Sequence, residues 1–439
     1  MTDPTGGRWI NQYERNWLVR QIDPTGASVT FHYDADGNLL QVFDNLGLGA
    51  RHTYDAAGRV LTSTDAGGNL TRRTYNSTGD LLTTVDPLGR TTAYSYDQRG
   101  NLMGATYWGR ASRITYDARG LVTASRDSLG RTTRYGYSAD GDLVSVTDPV
   151  GRVTKSEVDG WGRPSKVTSP RGAVSTVTYN LDDQPIEQQE PLDVSTRQTY
   201  DGQGRLSALV DSRGGTTNLR YDEAGELVGV TSPSLRESTS EFDLSGRLVK
   251  RVDASRRTQT FEYDKAGRTT STAYGGRTWH FGYDKAGRLV RTTLPSGKAA
   301  AFTLDARGAV TKVVYSDKTP TIGFAWDAVG RRTAMTDGLG TTRFGYDAFD
   351  QLTSVAGPSG TVTYRWDAAG NLIARGAAGH AETYTWDGAD RLSTASADGK
   401  VLASYRYDLG RGTDSSTRPG GRQRGPDRRL GRWNVVVHL

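Results

Sequence analysis

The sequence predicts an all-β protein made of tandem antiparallel β-hairpins that form one long coiled sheet. Three observations carry this. A short motif recurs every 20 to 22 residues over almost the whole chain. Large side chains ahead of each motif alternate with period two, which is the strand period. And Gly fills 54 of 439 positions, about 12% against a usual ~7%, while hydrophobic residues reach only 35%. Turns and half-buried strands suit that composition, and a large solid core does not.

The motif reads aromatic, Asp, x, x, Gly, x, Leu. It begins at Tyr33, Tyr54, Tyr75, Tyr96, Tyr116, Tyr137, Val158, Tyr179, Tyr200, Tyr221, Phe242, Tyr263, Tyr283, Leu304, Trp326, Tyr346, Trp366, Trp386 and Tyr407. Of the eighteen spacings, twelve are 21 residues, five are 20 and one is 22. Tyr13, twenty residues before Tyr33, reads as a worn earlier copy. Self-similarity at a fixed short period marks a repeat architecture.

Each slot has a physical reason. Asp holds the second slot in sixteen of nineteen copies, with Asn76, Ser138 and Asn180 as the exceptions. All of these side chains can accept from a backbone N–H two residues on and so close a turn. Gly holds the fifth slot in fifteen of the first eighteen copies, where a type I turn followed by a left-handed residue needs positive φ. The substitutes there are Asp183, Asp350 and Asp390, and Asp tolerates that conformation better than most residues. Two residues later comes Leu or Val in fourteen of eighteen copies, as at Leu39, Val60, Leu206 and Leu289. Ahead of the Asp, the pairs Phe31 and Tyr33, Phe281 and Tyr283, and Tyr364 and Trp366 put large groups on one face.

A second turn lies midway through each repeat, best seen in DPTG (23–26), DPLG (86–89), DPVG (148–151) and SPRG (169–172). Eight of the fourteen prolines stand at its second position, where a fixed φ suits the turn and no ladder donor is lost. Two such turns leave about six residues for each strand. Nineteen hairpins make about 38 strands, a strip of roughly 180 Å if unrolled. Open twisted sheets rarely exceed about ten strands without curling, so this strip must coil. With so few apolar residues it is expected to form a wall rather than a packed sandwich.

Charge and composition exclude several classes. The net charge is +6, but +4 of it comes from residues 408–439, which leaves a nearly neutral body with no case for nucleic acid. Cys is absent, so there is no disulfide or thiol chemistry. No apolar run approaches the ~20 residues of a membrane span, and the N-terminus lacks the basic-then-apolar pattern of a signal peptide. The chain reads as a piece of a longer protein.

The strings YDAAGRV (54–60), YDGQGRL (200–206) and YDKAGRL (283–289) resemble the YD repeats of the RHS family, which includes bacterial polymorphic toxins, wall-associated proteins and toxin-complex subunits, with related repeats in teneurins. The resemblance covers about residues 13 to 407. It implies a partial RHS-type cocoon or shell, enclosing a toxin polypeptide or completing a parent shell, in a secreted or cell-surface protein. No DPxG-rich closing segment, toxin domain or delivery module of the family is found in the sequence.

The expected organisation is a lead-in at 1–12, a hairpin array at 13–407, and a basic tail at 408–439. The tail, where repeat text gives way to Arg, Gly and Pro, is expected to be disordered or the product of a frameshift. Reading the gene in its other two frames tests the latter. No catalytic residue, metal or cofactor is assigned, and an enzyme is not expected. The five histidines, His32, His52, His280, His380 and His438, are scattered without HExxH or similar pairing. Asp34, Asp36 and Asn38 resemble half a calcium loop, but other copies put Ala57, Thr78 or Arg99 in the place of Asp36. Tyr and Trp supply 31 of 40 aromatics. They would pair across strands or, in the alternative reading, stack on glycans as an adhesion module. A structural, non-enzymatic shell module is the function expected.

Overall fold

The computed structural model describes residues 1–47, 49–408 and 412–417. Among these there is no helix. Forty strands, numbered in chain order from β1 (Ile10–Glu14) to β40 (Gly412–Thr417), stand in one sheet. Strands consecutive in sequence pair antiparallel, as in β5 (Gly49–Tyr54) with β6 (Val60–Thr64) and β6 with β7 (Leu70–Tyr75). The all-β hairpin array is therefore the fold. Tyr13 closes its first hairpin through Arg15 and Asn16, both at positive φ (49° and 68°). At the C-terminal end, β39 (Lys400–Asp408) pairs with β40, and the rest of the expected tail lies outside the described residues.

The motif turn is built as its residues require. Gly58 N–H donates to the Asp55 carbonyl (3.0 Å) and Asp55 N–H to the Arg59 carbonyl (3.0 Å). Tyr54 then faces Val60, while Thr53 faces Thr62, so a bulge follows the turn. Gly58 has φ 74°, and the substitutes Asp183, Asp350 and Asp390 sit at 61°, 64° and 57°. A residue other than Gly persists there only where a short polar side chain tolerates the left-handed well.

The midway turn varies in length, and its short form accounts for the 20-residue spacings. In the DPxG form Gly26, Gly89, Gly151 and Gly172 have φ between 80° and 87°. Where the repeat shortens to 20 residues the loop has only two residues. Tyr107 then pairs directly with Arg110, Tyr274 with Arg277, Gly357 with Gly360, and Ala377 with His380. Trp108 and Gly109 (φ 47° and 77°) are both left-handed, as a two-residue hairpin loop of the I′ type demands. The four-residue turn expected at every midpoint is thus replaced at these sites, and the strands keep their length.

The two faces of the sheet differ. On β9 (Thr91–Tyr96) exposure alternates strictly, with Tyr94 and Tyr96 half-buried and their neighbours exposed. The aromatic face repeats this on strand after strand. The opposite face carries Thr pairs such as Thr53 with Thr62 (2.6 Å) and Thr74 with Thr83 (2.6 Å), and ion pairs such as Lys166 with Glu157 (2.7 Å). Among the described residues only Ala299, Val313 and Ala403 are buried apolar side chains, and no large side chain is fully buried. A single layer held by cross-strand contacts has no other place to put them.

The chain divides into two compact units, one formed by Met1–Tyr94 with Val177–Thr342, the other by Ser95–Thr176 with the chain from Arg343 onward. In the first unit, turns far apart in sequence meet. Arg247 donates to Thr5 Oγ1 (3.3 Å) and Arg268 to Thr25 Oγ1 (3.2 Å), across 242 and 243 residues. Within the second unit the Tyr107 hydroxyl donates to the Ala348 carbonyl (2.8 Å), the Arg110 guanidinium lies 3.4 Å from the Phe349 ring centre, and Arg131 pairs with Asp390 (2.6 Å). In both units a midway turn meets a motif turn, so strips of sheet abut at opposite borders.

Candidate functional site: the aspartate, arginine and tyrosine ladder

The recurrent constellation of the molecule is the motif turn itself. Asp55 Oδ1 accepts from the backbone N–H of Ala57 (3.0 Å) and of Arg59 (3.0 Å), and Oδ2 takes the Arg59 Nε–H at 2.7 Å. The same carboxylate geometry recurs at Asp201, Asp243, Asp264 and Asp284 with the Arg four residues on. Where Asn replaces Arg, as at Asn38 and Asn101, its amide donates to Oδ2 instead (2.9 Å in each). The Arg59 backbone N–H first, and its guanidinium after, hold the Asp55 carboxyl below the usual carboxylate range.

From several of these turns the Arg reaches the next repeat. Arg247 lies 4.9 Å from the ring centre of Tyr263 and donates to the Asp264 carbonyl at 3.4 Å. Arg59 over Tyr75 (5.0 Å) with Asn76, and Arg205 over Tyr221 (4.6 Å) with Asp222, repeat it. The aromatic reaches back. The hydroxyl of Tyr54 donates to the Leu39 carbonyl (2.8 Å), Tyr75 to Val60 (2.9 Å), Tyr221 to Leu206 (3.0 Å) and Tyr263 to Leu248 (2.6 Å). Trp366 and Trp386 do the same through indole N–H, to Leu352 (2.7 Å) and Leu372 (2.8 Å). A donor at the ring tip is therefore favoured. This accounts for Tyr or Trp at sixteen of the nineteen motif starts and Phe at one.

The arginine's part was missed in the sequence reading, although its signal was there: Arg stands directly after the turn residue at 59, 163, 205, 247, 268, 288, 331 and 391. The aspartate and glycine roles are those expected. The calcium-like run is a hairpin turn, with Asp34 Oδ1 taking the Asp36 and Asn38 backbone N–H groups (3.0 and 2.8 Å). Among the described residues no group of three or more His, Asp or Glu is placed to hold a metal ion, and no helix is long and apolar enough to cross a membrane. His52 meets Ser63 (3.1 Å), His380 meets Asp398 (3.2 Å), and His32 stands edge-on to Phe43, each in a different hairpin. His438 lies outside the described residues. Many Tyr hydroxyls and Trp N–H groups are spent inside the sheet, which is the structural use of the aromatic row.

Family comparison agrees with this geometry. The RHS Repeat model matches 13–47, 33–71, 54–90, 75–112, 116–153, 137–174, 326–362, 346–381 and 366–401, together more than half of the chain. The chain belongs to the RHS-repeat family. The Teneurin YD-shell model matches residues 192–305 of this RHS-repeat chain. No curated protein matches its sequence. Solved structures share the fold. The crystal structure of TcdB2-TccC3-Cdc42 superposes with a TM-score of 0.68 at 15% identity, over 95% of this chain and 29% of that one. TcdB2-TccC3 without its hypervariable C-terminal region gives 0.69 at 15% identity, over 95% and 28%. The Photorhabdus luminescens Tc holotoxin pore, with a mutation in TccC3, gives 0.66 at 15%, over 93% and 30%. The RHS-repeat chain spans under a third of each of these proteins. Its fold is that of an RHS shell.

Proposed function

We propose that this chain is a wall segment of an RHS-type shell that encloses a toxin polypeptide, within a secreted or cell-surface parent protein. The observation that carries the reading is the shell fold shared over 95% of the chain with TcdB2-TccC3 structures. The physics of the array supports it. Neighbour-coupled repeats in one layer extend a wall by addition of units, without needing a solid core. The array at 13–407 supplies the wall. The lead-in at 1–12 and the tail at 408–439 serve as its flanks. Catalysis, if the parent has any, belongs to the enclosed polypeptide.

The test is a photo-cross-linking comparison. A photoreactive phenylalanine replaces Tyr364 on the aromatic face or Thr363 on the opposite face, with a reporter polypeptide fused after the chain. Cross-links to the reporter are expected from the aromatic face, where exposure is lower. Equal yields from both faces, or none from either, defeat the reading.

A further inference from the structure

One cleft in the first unit is not accounted for by the ladder. It holds about 680 Å³ and is lined by Arg251, Gln259, Thr272, Tyr274, Trp279 and Phe281, with Asp253 and Arg257 at its rim. The lining comes from four neighbouring strands, β24 (Leu248–Val252), β25 (Thr258–Tyr263), β26 (Thr269–Tyr274) and β27 (Arg277–Tyr283). Its volume lies in the range of binding clefts, roughly 300–1,000 Å³. At Tyr75, Tyr221, Tyr263 and Tyr283 the ring is covered by the Arg of the preceding motif turn. Here the preceding midway turn places Arg257 over Tyr274 (5.6 Å) and ties it to Asp253 (2.8 Å). Asp253, the one acid of the lining, is thereby spent. Arg251 is exposed and makes no ion pair among the described residues. The cleft therefore offers one uncommitted cation on β24 and an open aromatic floor, Trp279 and Phe281, on β27.

We propose that this cleft docks an extended acidic-aromatic peptide segment of the enclosed polypeptide, with a carboxylate on Arg251 and an aromatic ring on Trp279 and Phe281. The inference deepens the shell reading and rests on it for the identity of the partner. Charge complementarity fixes the sign: a net positive lining with its acid neutralised favours an anion and repels a Lys or Arg side chain. Spacing fixes the length. Three inter-strand steps of ~4.8 Å separate Arg251 from Trp279, about 14 Å, which four residues of extended chain cover. Aromatic stacking and a charge-assisted hydrogen bond supply the recognition.

The probe is the peptide acetyl-Glu-Gly-Ser-Gly-Phe amide carrying para-fluorophenylalanine, titrated with the full chain and followed by fluorine NMR line broadening. Saturable broadening is expected, weakened about tenfold or more by Arg251→Glu and by Trp279→Ala, and absent when Lys replaces the Glu of the peptide. Arg251→Gln, a milder change on an exposed site, should give an intermediate loss, and unchanged thermal melting of all three variants separates binding from folding. Equal broadening by wild type and variants, or equal binding of the Lys peptide, overturns the proposal. The cross-linking experiment fails independently: peptide binding without face-selective cross-links sinks the shell reading and leaves the cleft, and the converse sinks the cleft alone.

Discussion

At the scale of single residues, the ladder divides the labour of one repeat among three side chains. Asp closes its own turn, Arg joins that turn to the next ring, and the ring tip ties back to the preceding strand. Tyr263→Phe removes only the 2.6 Å bond to the Leu248 carbonyl. A cost of about 0.5–1.5 kcal/mol is expected, seen as faster hydrogen exchange in β24 and β25 with distant hairpins unchanged. The carboxylates also set a pH response. Backbone N–H bonds from Arg59, Arg205 and Arg257 hold Asp55, Asp201 and Asp253 below the ordinary carboxylate value, ahead of the guanidinium contacts. A folded pKa below the unfolded one gives stability that is full above the unfolded value, ~3.9, and is lost as pH falls through the folded value. Thermal midpoints by circular dichroism should hold steady from neutral pH to about 5 and decline below about 4; a midpoint that rises on acidification contradicts this. The Asp and Gly roles were legible in the sequence because each acts within five residues. The Arg beside its own turn Asp, as Arg247 is to Asp243, left a signal in the sequence, but its reach to Tyr263 and Asp264 one repeat beyond did not, because only the sheet brings them together.

Among the hairpins, the motif turn is invariant and the midway turn varies. Gly287 illustrates the first: its φ is 79°, and a Cβ there would stand 3.0 Å from Arg268 Nη1, the arm of the preceding rung. Gly287→Val should cost about 1–3 kcal/mol through the left-handed backbone alone. Limited proteolysis is then expected to cut first between β27 and β28 (Leu289–Thr293), and uniform resistance along the chain counts against it. Strand lengths, hairpin order and the positive φ of Asp183, Asp350 and Asp390 were all legible from spacing and residue type. The two-residue midway loops were not. A missing residue in the count at Trp108 and Gly109 is visible, but whether a strand or a loop gives it up depends on cross-strand pairing.

For the molecule as a whole, contacts between strips within each unit are specific. The Tyr107, Arg110, Ala348 and Phe349 cluster fastens two such strips in the second unit. Arg110→Ala should raise hydrogen exchange around 347–350 several-fold while leaving the first unit at its wild-type rate. No change there means that the cluster carries no weight in holding the strips. Coiling was foreseeable from strand number and twist, but which turns would touch was not, since partners 241 residues apart share no sequence signal. The tolerance of the midway loop has a practical corollary. Residues 317–319, in the stretch that lengthens one repeat to 22, already hold an added residue while the strands on either side stay paired, Lys312 with Gly323 and Val313 with Ile322. An epitope spliced into that loop should be displayed without loss of pairing, whereas the same insert beside an aspartate-glycine reversal should be rejected. An antibody against such tags would then decorate one margin of the ribbon and leave the other bare.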